Sequence, residues 1–337
     1  MSKATIKDVA RRAGVSLGTA SRVINRHKSV SDRIRRRVTL AIAELGYEPD
    51  AVAQSMRKGA TRTIGIVIRD ITVPALADFV KSAQEVLHEA GYALIITCSD
   101  DRKERELELL NLLSRRRIDG LIMTTANESD PDLMRARQHQ SYPIVLLDRE
   151  TPPELDAMTV SHRDGLRRGV EYLFDLGHRR IALITGAPTV YPARERIRGY
   201  EEAHAGRGIP ADPLLLRSVG FSADSSFLEA SALLSLADRP TAIICGGINM
   251  LSGALRAIQS HGLRIPQEIS LIGSNDTDLA RLATPPVTVI HWSFRELGEA
   301  AAHTLLDRIA NGGQGAPRRI VFPAELVMRA SCGPPPR

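Results

Sequence analysis

Two groups of residues in this sequence have the types and spacing to do chemistry. The first is the run Leu17-Gly18-Thr19-Ala20-Ser21-Arg22-Val23-Ile24-Asn25, just after Gly14-Val15-Ser16. On a helix, Arg22 can fork onto guanine O6 and N7, the commonest sequence-reading contact, and Leu17 can touch a thymine methyl. Gly18 offers no side chain, so the base beside it is read weakly. Ser16, Thr19, Ser21, Asn25 and Lys7 carry groups suited to phosphate oxygens, which fix register without specifying sequence. The second group is scattered. Asp70, Asp148, Asn275 with Asp276, and His291 with Trp292 each stand at the end of a short apolar run, and Arg196 opens a helical stretch soon after another. In open α/β sheets, ligands bind beyond the carboxyl ends of the strands. These groups can therefore converge on one cleft and hydrogen-bond hydroxyls or a carboxylate. Trp292, the only tryptophan, can stack on a sugar or ring face. Taken singly, Arg22 reads equally as a solvated surface arginine, and each strand-end residue as a cap, a salt bridge or a core contact.

Catalytic patterns are missing. One GxSxG match occurs, Gly14-Val15-Ser16-Leu17-Gly18, but it lies between two short helical stretches of the head and not on a strand-to-helix turn. No GxxxxGK[ST] or HExxH occurs and no two histidines are spaced i, i+4, so neither a nucleophile elbow, a phosphate loop nor a helical metal pair is encoded. Cys98, Cys245 and Cys332 lie too far apart for a CxxC site or a disulfide framework. No metal and no organic cofactor is expected. A small-molecule binding protein, or an enzyme of sugar or nucleoside metabolism with no DNA role, stands as the alternative.

The elements that must position these residues differ along the chain. Residues 1–60 hold 13 Lys/Arg against 5 Asp/Glu, a net +8 within a total of +6. A basic head on a near-neutral body points to a polyanion at one end. Within the head, Ile6, Val9, Ala10 and Ala13 recur at helical spacing up to Gly14. Ser16 can cap a second helix over about 17–25, and Ser31 a third, whose stripe is Ile34, Val38, Ala41, Ile42 and Leu45, ended by Gly46. A further short helix is expected over 50–57. Beyond residue 61, Ile/Val-rich runs at 63–68, 92–98, 118–123, 143–148, 180–185, 241–245 and 269–273 alternate with amphipathic stretches such as 74–91. Continuous apolar strands alternating with helices mean parallel sheets covered on both faces, and about 270 residues suffice for two such lobes. No run is long enough to span a membrane, and the N-terminus lacks the apolar core of a secretory signal, so a cytoplasmic protein is expected. The proline-rich end, 332–337, is expected to be disordered.

Residues 5–60 resemble the DNA-binding headpiece of the LacI family of bacterial transcription regulators. The likeness rests on Asp8-Val9-Ala10, Ala13-Gly14-Val15-Ser16, Ser21-Arg22-Val23-Ile24-Asn25, Leu45-Gly46-Tyr47 with Pro49, and Ala51-Val52-Ala53, and it continues to about residue 330. It implies a small all-α helix-turn-helix domain (1–48), a hinge helix (49–60), and a two-lobed periplasmic-binding-protein-like effector domain of two doubly wound parallel sheets (61–331). Lobe one would hold about 61–160 plus 292–321, and lobe two about 161–291 plus 322–331. The resemblance adds Thr5 to the DNA contacts and makes Ala53, Met56 and Arg57 part of a minor-groove wedge, with Met56 where leucine is usual. In the body, Arg196-Ile197-Arg198-Gly199-Tyr200 matches an element whose arginine contacts effector. Asp148 matches an acidic lining position and Phe221 an aromatic wall. Asn275 stands where sugar-binding members carry aspartate, and His291 where a polar side chain reaches ligand. Gly247-Ile248 replaces a polar Asn-Asp pair. Ser161-His162, Asp164-Gly165 and Leu176-Gly177-His178 also match and read as structural. The implied protein is a ligand-responsive repressor of carbohydrate or related metabolic genes, working as a homodimer on a pseudo-palindromic operator, with a sugar or sugar acid among the candidate effectors.

Overall fold

The computed structural model describes residues 4–24, 27, 29–47, 60–150, 152 and 154–336, and the chain divides into two compact units, 1–61 and 62–337. In the first unit, α1 (Ile6–Ala13), α2 (Leu17–Ile24) and α3 (Asp32–Leu45) close around Val9, Ala13, Val23, Val38 and Ala41. The Asp8 carboxylate reaches back to the Thr5 N–H (3.0 Å) and takes the Thr5 hydroxyl proton (2.6 Å), which fixes the start of α1. Ser16 caps α2 as expected, its Oγ accepting from the Thr19 N–H at 3.1 Å. Ser31 precedes α3 without a side-chain cap bond. Gly14 and Gly46 end their helices in the left-handed conformation, at φ 61° and 55°. Gly14 carries a second constraint. Arg37 on α3 donates to the Ala13 carbonyl at 2.6 Å, and a Cβ at residue 14 would stand 2.6 Å from that guanidinium.

The second unit holds two sheets. Strands β1 (Thr63–Ile68), β2 (Ala93–Cys98), β3 (Gly120–Met123), β4 (Ile144–Leu147), β5 (Asp156–Val160) and β11 (Arg319–Phe322) form sheet one in the order β11-β5-β4-β3-β1-β2, all parallel. Strands β6 (Ile181–Gly186), β7 (Leu216–Val219), β8 (Ala242–Cys245), β9 (Ser270–Ser274), β10 (Thr288–His291) and β12 (Glu325–Val327) form sheet two in the order β12-β10-β9-β8-β6-β7. Both are doubly wound. The central strands β3 and β8 are buried throughout, which explains why they read as unbroken apolar runs.

The chain passes between the sheets three times: after β5, after β10, and between β11 and β12. The expected all-parallel pattern fails at β12, which runs antiparallel to β10. The connections require this. β10 leaves sheet two towards sheet one and β12 returns the other way, two residues after β11. Ser161 ties two of the passages together. Its N–H donates to the Phe322 carbonyl at 2.9 Å, and its Oγ accepts from the Ala324 N–H at 3.0 Å. Gly165, one turn into helix α7 (His162–Asp175), lies where a Cβ would stand 2.6 Å from the Ala324 Cβ and 2.9 Å from Ile290. Helices α4 (Pro74–Glu89) and α12 (Phe294–Ala310) cover one face of sheet one.

The end of the chain departs from expectation. Residues 332–336 are held against sheet two, with the Gly333 carbonyl accepting from His178 (2.9 Å) and the Gly333 N–H donating to Ser270 Oγ (3.1 Å). His178 also bonds Thr241 Oγ1 at 2.8 Å. A buried histidine with several polar partners anchors what composition alone marked as loose.

The two glycine stops separate strain from contact. Alanine at Gly46 should cost about 1 kcal/mol for the left-handed backbone, because none of the described residues comes within 4 Å of its Cβ. Alanine at Gly14 should cost clearly more, since it also displaces the Arg37 cap. Hydrogen exchange of the amides of α1 and α3 in the full chain measures both; equal effects would contradict the capping role of Arg37.

Candidate effector cleft and nucleic-acid interface

On the first unit, α2 presents Leu17, Gly18 and Arg22 to solvent, and Lys7 on α1 is also exposed. Leu17 keeps 47% of its surface exposed, an apolar side chain left in water on an otherwise polar face. Arg22 lies back along its own helix, 3.8 Å from where a Gly18 Cβ would stand. Thr19 and Ser21 are half-buried. Ser16 Oγ and Thr19 Oγ1 lie 2.9 Å apart and brace the start of α2. Some of the basic charge is structural. Arg37 caps α1, Arg12 pairs with Glu44 at 2.6 Å, and Arg35 donates to the His27 carbonyl at 3.1 Å. These three arginines are engaged within the head itself. Asn25, Ala53, Met56, Arg57 and the hinge helix lie outside the described residues.

In the second unit, the carboxyl ends of both sets of strands face one cleft. Asp148 follows β4 and Asn275 follows β9, and both have positive φ, 51° and 65°. Their N–H groups donate across to the neighbouring strand, Asp148 to the Met158 carbonyl (2.6 Å) and Asn275 to the Ile290 carbonyl (2.7 Å). Each also meets a histidine: Asp148 Oδ2 lies 2.8 Å from His162 Nε2, and Asn275 Oδ1 lies 3.0 Å from His291 Nδ1. The lobes thus repeat one device, with a carboxylate in one and an amide in the other. The amide has a reason. Asn275 Nδ2 donates to the Trp292 carbonyl at 3.1 Å, a bond an aspartate would turn into repulsion.

A polar chain runs from Asp148 across the cleft floor. Arg196, on helix α8 (Tyr191–Gly206), donates from Nη2 to His162 Nδ1 at 3.1 Å. A guanidinium only donates, so His162 Nδ1 carries no proton; the ring is neutral and gives its Nε2–H to Asp148. Burial pushes the His162 pKa below 6.5, and the positive charge of Arg196 works in the same direction. Burial alone would raise Asp148, but His162 and Arg196 more than offset it and hold the carboxyl below 3.8. Burial also lowers Arg196 to about 10, which leaves it charged at neutral pH. Trp292 stands edge-on to His162 at 5.0 Å, with the Arg196 guanidinium carbon 5.6 Å from its ring. Beside this chain the lobes also clasp. Glu128 of lobe one accepts from the Tyr191 N–H at the start of α8 (2.5 Å) and pairs with Arg194 (2.7 Å), which also reaches Glu150 (2.5 Å).

Asp148, Arg196, Phe221 and Trp292 line a cavity of about 100 Å³, together with Arg69, Asp101 and Arg149. Asn275 and His291 line an adjoining cavity of about 600 Å³, which shares Ile248, Trp292 and Phe294 with the first. Asp70 lines neither. Its carboxylate accepts from the Thr72 N–H (2.8 Å) and hydroxyl (2.7 Å), closing its own turn, so its assignment to the cleft is corrected. Phe221 accounts for the glycines around it. A Cβ at Gly186 would stand 2.1 Å from the ring and one at Gly247 2.7 Å. The aromatic ring occupies the space that a side chain at 247 would need. Arg69, Asp101 and Arg149 were missed by sequence reasoning, although each lies within two or three residues of a strand end. His162 reads as structural in sequence because nothing there shows that it joins two charged partners.

A family model described as "Bacterial regulatory proteins, lacI family" matches residues 5–50, and one described as "Periplasmic binding protein-like domain" matches residues 170–332. The HTH-type transcriptional regulator DegA of Bacillus subtilis is 34% identical over 338 residues, covering 98% of this chain and 99% of the relative. The chain belongs to the LacI family. The HTH-type transcriptional repressor PurR of Aliivibrio fischeri is 32% identical over 332 residues, covering 97% of this chain and 98% of that one. Among solved structures, a lac repressor dimer bound to operator and the anti-inducer ONPF matches with a TM-score of 0.86, 31% identity, and coverage of 98% and 99%. A complex of the regulator CelR with cellobiose matches with a TM-score of 0.75, 29% identity, and coverage of 97% and 99%. This LacI-family chain joins a helix-turn-helix head to a two-lobed ligand-binding body, the build of a DNA-binding transcription regulator. Among the described residues, no helix is long and apolar enough to cross a membrane and no cluster of side chains could hold a metal ion.

The polar chain has a pH signature. Because burial depresses the His162 pKa below its unfolded value of 6.5, the unfolded chain takes up the proton first as pH falls. Stability is therefore fully present above pH 6.5 and declines below it. His178 and His204, also lowered by burial, add to the same slope. Asp148 adds a further loss only below 3.8. His162→Gln should flatten part of the decline of melting temperature below pH 6.5; an unchanged slope would mean that His162 is not held neutral in the folded chain.

Proposed function

We propose that this LacI-family regulator is a cytoplasmic, non-enzymatic repressor whose binding to a pseudo-palindromic operator is set by a small molecule in the interlobe cleft. The observation that carries this reading is the cleft itself, in which one buried chain, Arg196–His162–Asp148, spans both lobes at the strand ends. A ligand that engages Arg196 changes the relation of the lobes, and its differential affinity for the two arrangements is the coupling free energy. Two heads, one per subunit, would place α2 in successive major grooves. Leu17, Gly18 and Arg22 would then face bases, while Thr5, Lys7, Ser16, Thr19, Ser21 and Asn25 would face phosphates. Thr5 keeps its place in this set with both its N–H and its hydroxyl already bound to Asp8. Ala53, Met56 and Arg57 would form the minor-groove wedge. Within the body, Asp148, Arg196, Phe221 and Trp292 would contact effector directly, with Asn275 and His291 at the mouth.

Two substitutions separate the roles. Arg22→Ala should weaken operator binding by roughly 1–3 kcal/mol and relax one base preference; an unchanged footprint would exclude α2 as the reading helix. Arg196→Ala should leave operator binding intact and remove the effector response, both measured by fluorescence anisotropy on labelled operator. A normal response at normal ligand concentration would confine Arg196 to a structural role.

A further inference from the structure

We infer that the effector is a small carboxylate with a planar, apolar body, an aromatic monocarboxylate in class, rather than a neutral sugar; this rests on the reading of the interlobe cleft as the effector site. The argument begins with a count of hydrogen-bonding groups. A neutral sugar presents hydroxyls that both donate and accept, and so needs acceptors in the wall as well as donors. Asp148 and Asn275 are engaged, and Asp101, the second carboxylate of the smaller cavity, faces Arg69 at 3.8 Å, so that cavity sets three arginines against two carboxylates. Asp148 takes the His162 Nε2–H and the Val160 N–H (3.3 Å). Asn275 Oδ1 takes the Asp276 N–H at 2.7 Å and faces His291 Nδ1, while its amide nitrogen is bound to Trp292.

Donors, by contrast, are in surplus. Arg69 makes no side-chain hydrogen bond among the described residues, and its one ion pair, to Asp101, is long at 3.8 Å. Arg196 uses one N–H on His162 and has no other hydrogen-bond partner among the described residues. Trp292 and Thr124 line the same cavity, and the indole N–H and the hydroxyl are buried with no hydrogen-bond partner among the described residues. Buried polar groups are seldom left in this state unless something else satisfies them. Two guanidinium groups and an indole N–H ask for an acceptor-only anion, and a planar guanidinium matches a carboxylate in two parallel bonds.

Size and lining give the rest of the ligand. The cavity holds about 100 Å³ and shares Ile248, Trp292 and Phe294 with the adjoining one of about 600 Å³; only with part of that second space does it exceed the roughly 150 Å³ known to admit benzene. Apart from the charged groups, its walls include Phe221, Trp292, Phe294, Val73 and Leu76. The Arg69 guanidinium carbon lies 5.5 Å from the Phe221 ring centre. The cation that would meet the carboxylate already sits against the wall that would meet the ring. Gly186 and Gly247 keep that wall aromatic, since a Cβ at either would displace Phe221.

The test is a thermal-shift and calorimetric comparison of benzoate, 4-hydroxybenzoate, gluconate and glucose on the full chain at millimolar concentration. Bound ligand raises the melting temperature with the logarithm of its excess over Kd. At least one aromatic acid should shift it, and glucose should not. Arg69→Gln should weaken that binding about tenfold or more, with Arg69→Lys between; the melting temperature of each variant without ligand reports that it is folded. Absence of a shift from both aromatic acids overturns the inference whatever the other two do. So does binding that folded Arg69→Gln leaves unchanged. If glucose or gluconate binds and alters operator affinity while the aromatic acids do not, the ligand-gated repressor stands and the aromatic-acid class falls. If benzoate binds without altering operator affinity, the ligand class stands and the gating falls.

Discussion

The body of this protein is organised around a neutral imidazole placed between opposite charges. His162 stands between Asp148 and Arg196, with its carboxylate partner on the end of a lobe-one strand and its guanidinium partner on a lobe-two helix. His162 and Arg196 are buried and Asp148 is half-buried, a setting in which each charge would be costly alone. As a donor chain, Arg196 to His162 to Asp148, each satisfies the next. The positive φ of Asp148, the edge-on indole of Trp292, and the placement of Ser161 one residue before the histidine all follow from holding that chain in line. A relative movement of the lobes must lengthen one of its two bonds or rotate the ring. The cleft is therefore suited to two discrete arrangements rather than a continuum, which is what a switch needs.

The same geometry explains where the binding groups stand. The strand ends of both sheets point into one space, so side chains distant in sequence become neighbours. The wall towards sheet two is aromatic because Phe221 fills the slot left by two glycines. The wall towards sheet one carries Arg69 and Arg149. Glu128, buried beside the start of α8, adds a second bond across the lobes by capping a helix that has no side-chain cap of its own. In the head, economy takes a different form. Arg37 looks like one more phosphate ligand in a basic run, yet it closes the end of α1, and the basic surface available to DNA is smaller than the charge count suggests.

Much of this was legible in the sequence. The three head helices, their glycine stops and the seven principal strand runs follow from spacing and composition, because local periodicity reflects burial directly. The strand-end rule found Asp148, Asn275, His291 and Trp292. It also picked out Asp70, which failed because a threonine two residues later offers a nearer partner. Short or half-exposed strands such as β7, β11 and β12 left no clear apolar signature. The direction of β12 depends on the path between lobes, which no local pattern records. Arg69 and Arg149 escaped because surface arginines are common in this sequence and only the fold distinguishes those that enter the cleft. The packed chain end was missed for a related reason: a proline-rich segment looks loose until His178, 155 residues away, is seen to hold its backbone.

The state of the His162 ring is the most direct test of this account. In the full chain at neutral pH, nitrogen-15 NMR of selectively labelled histidine should show His162 as the neutral tautomer with its proton on Nε2 and a bare, hydrogen-bond-accepting Nδ1. Arg196→Gln, which removes the charge and the strongest donor, should shift the Nδ1 resonance specifically. A doubly protonated ring, or a proton on Nδ1, would contradict the donor chain and with it the proposed link between the two lobes.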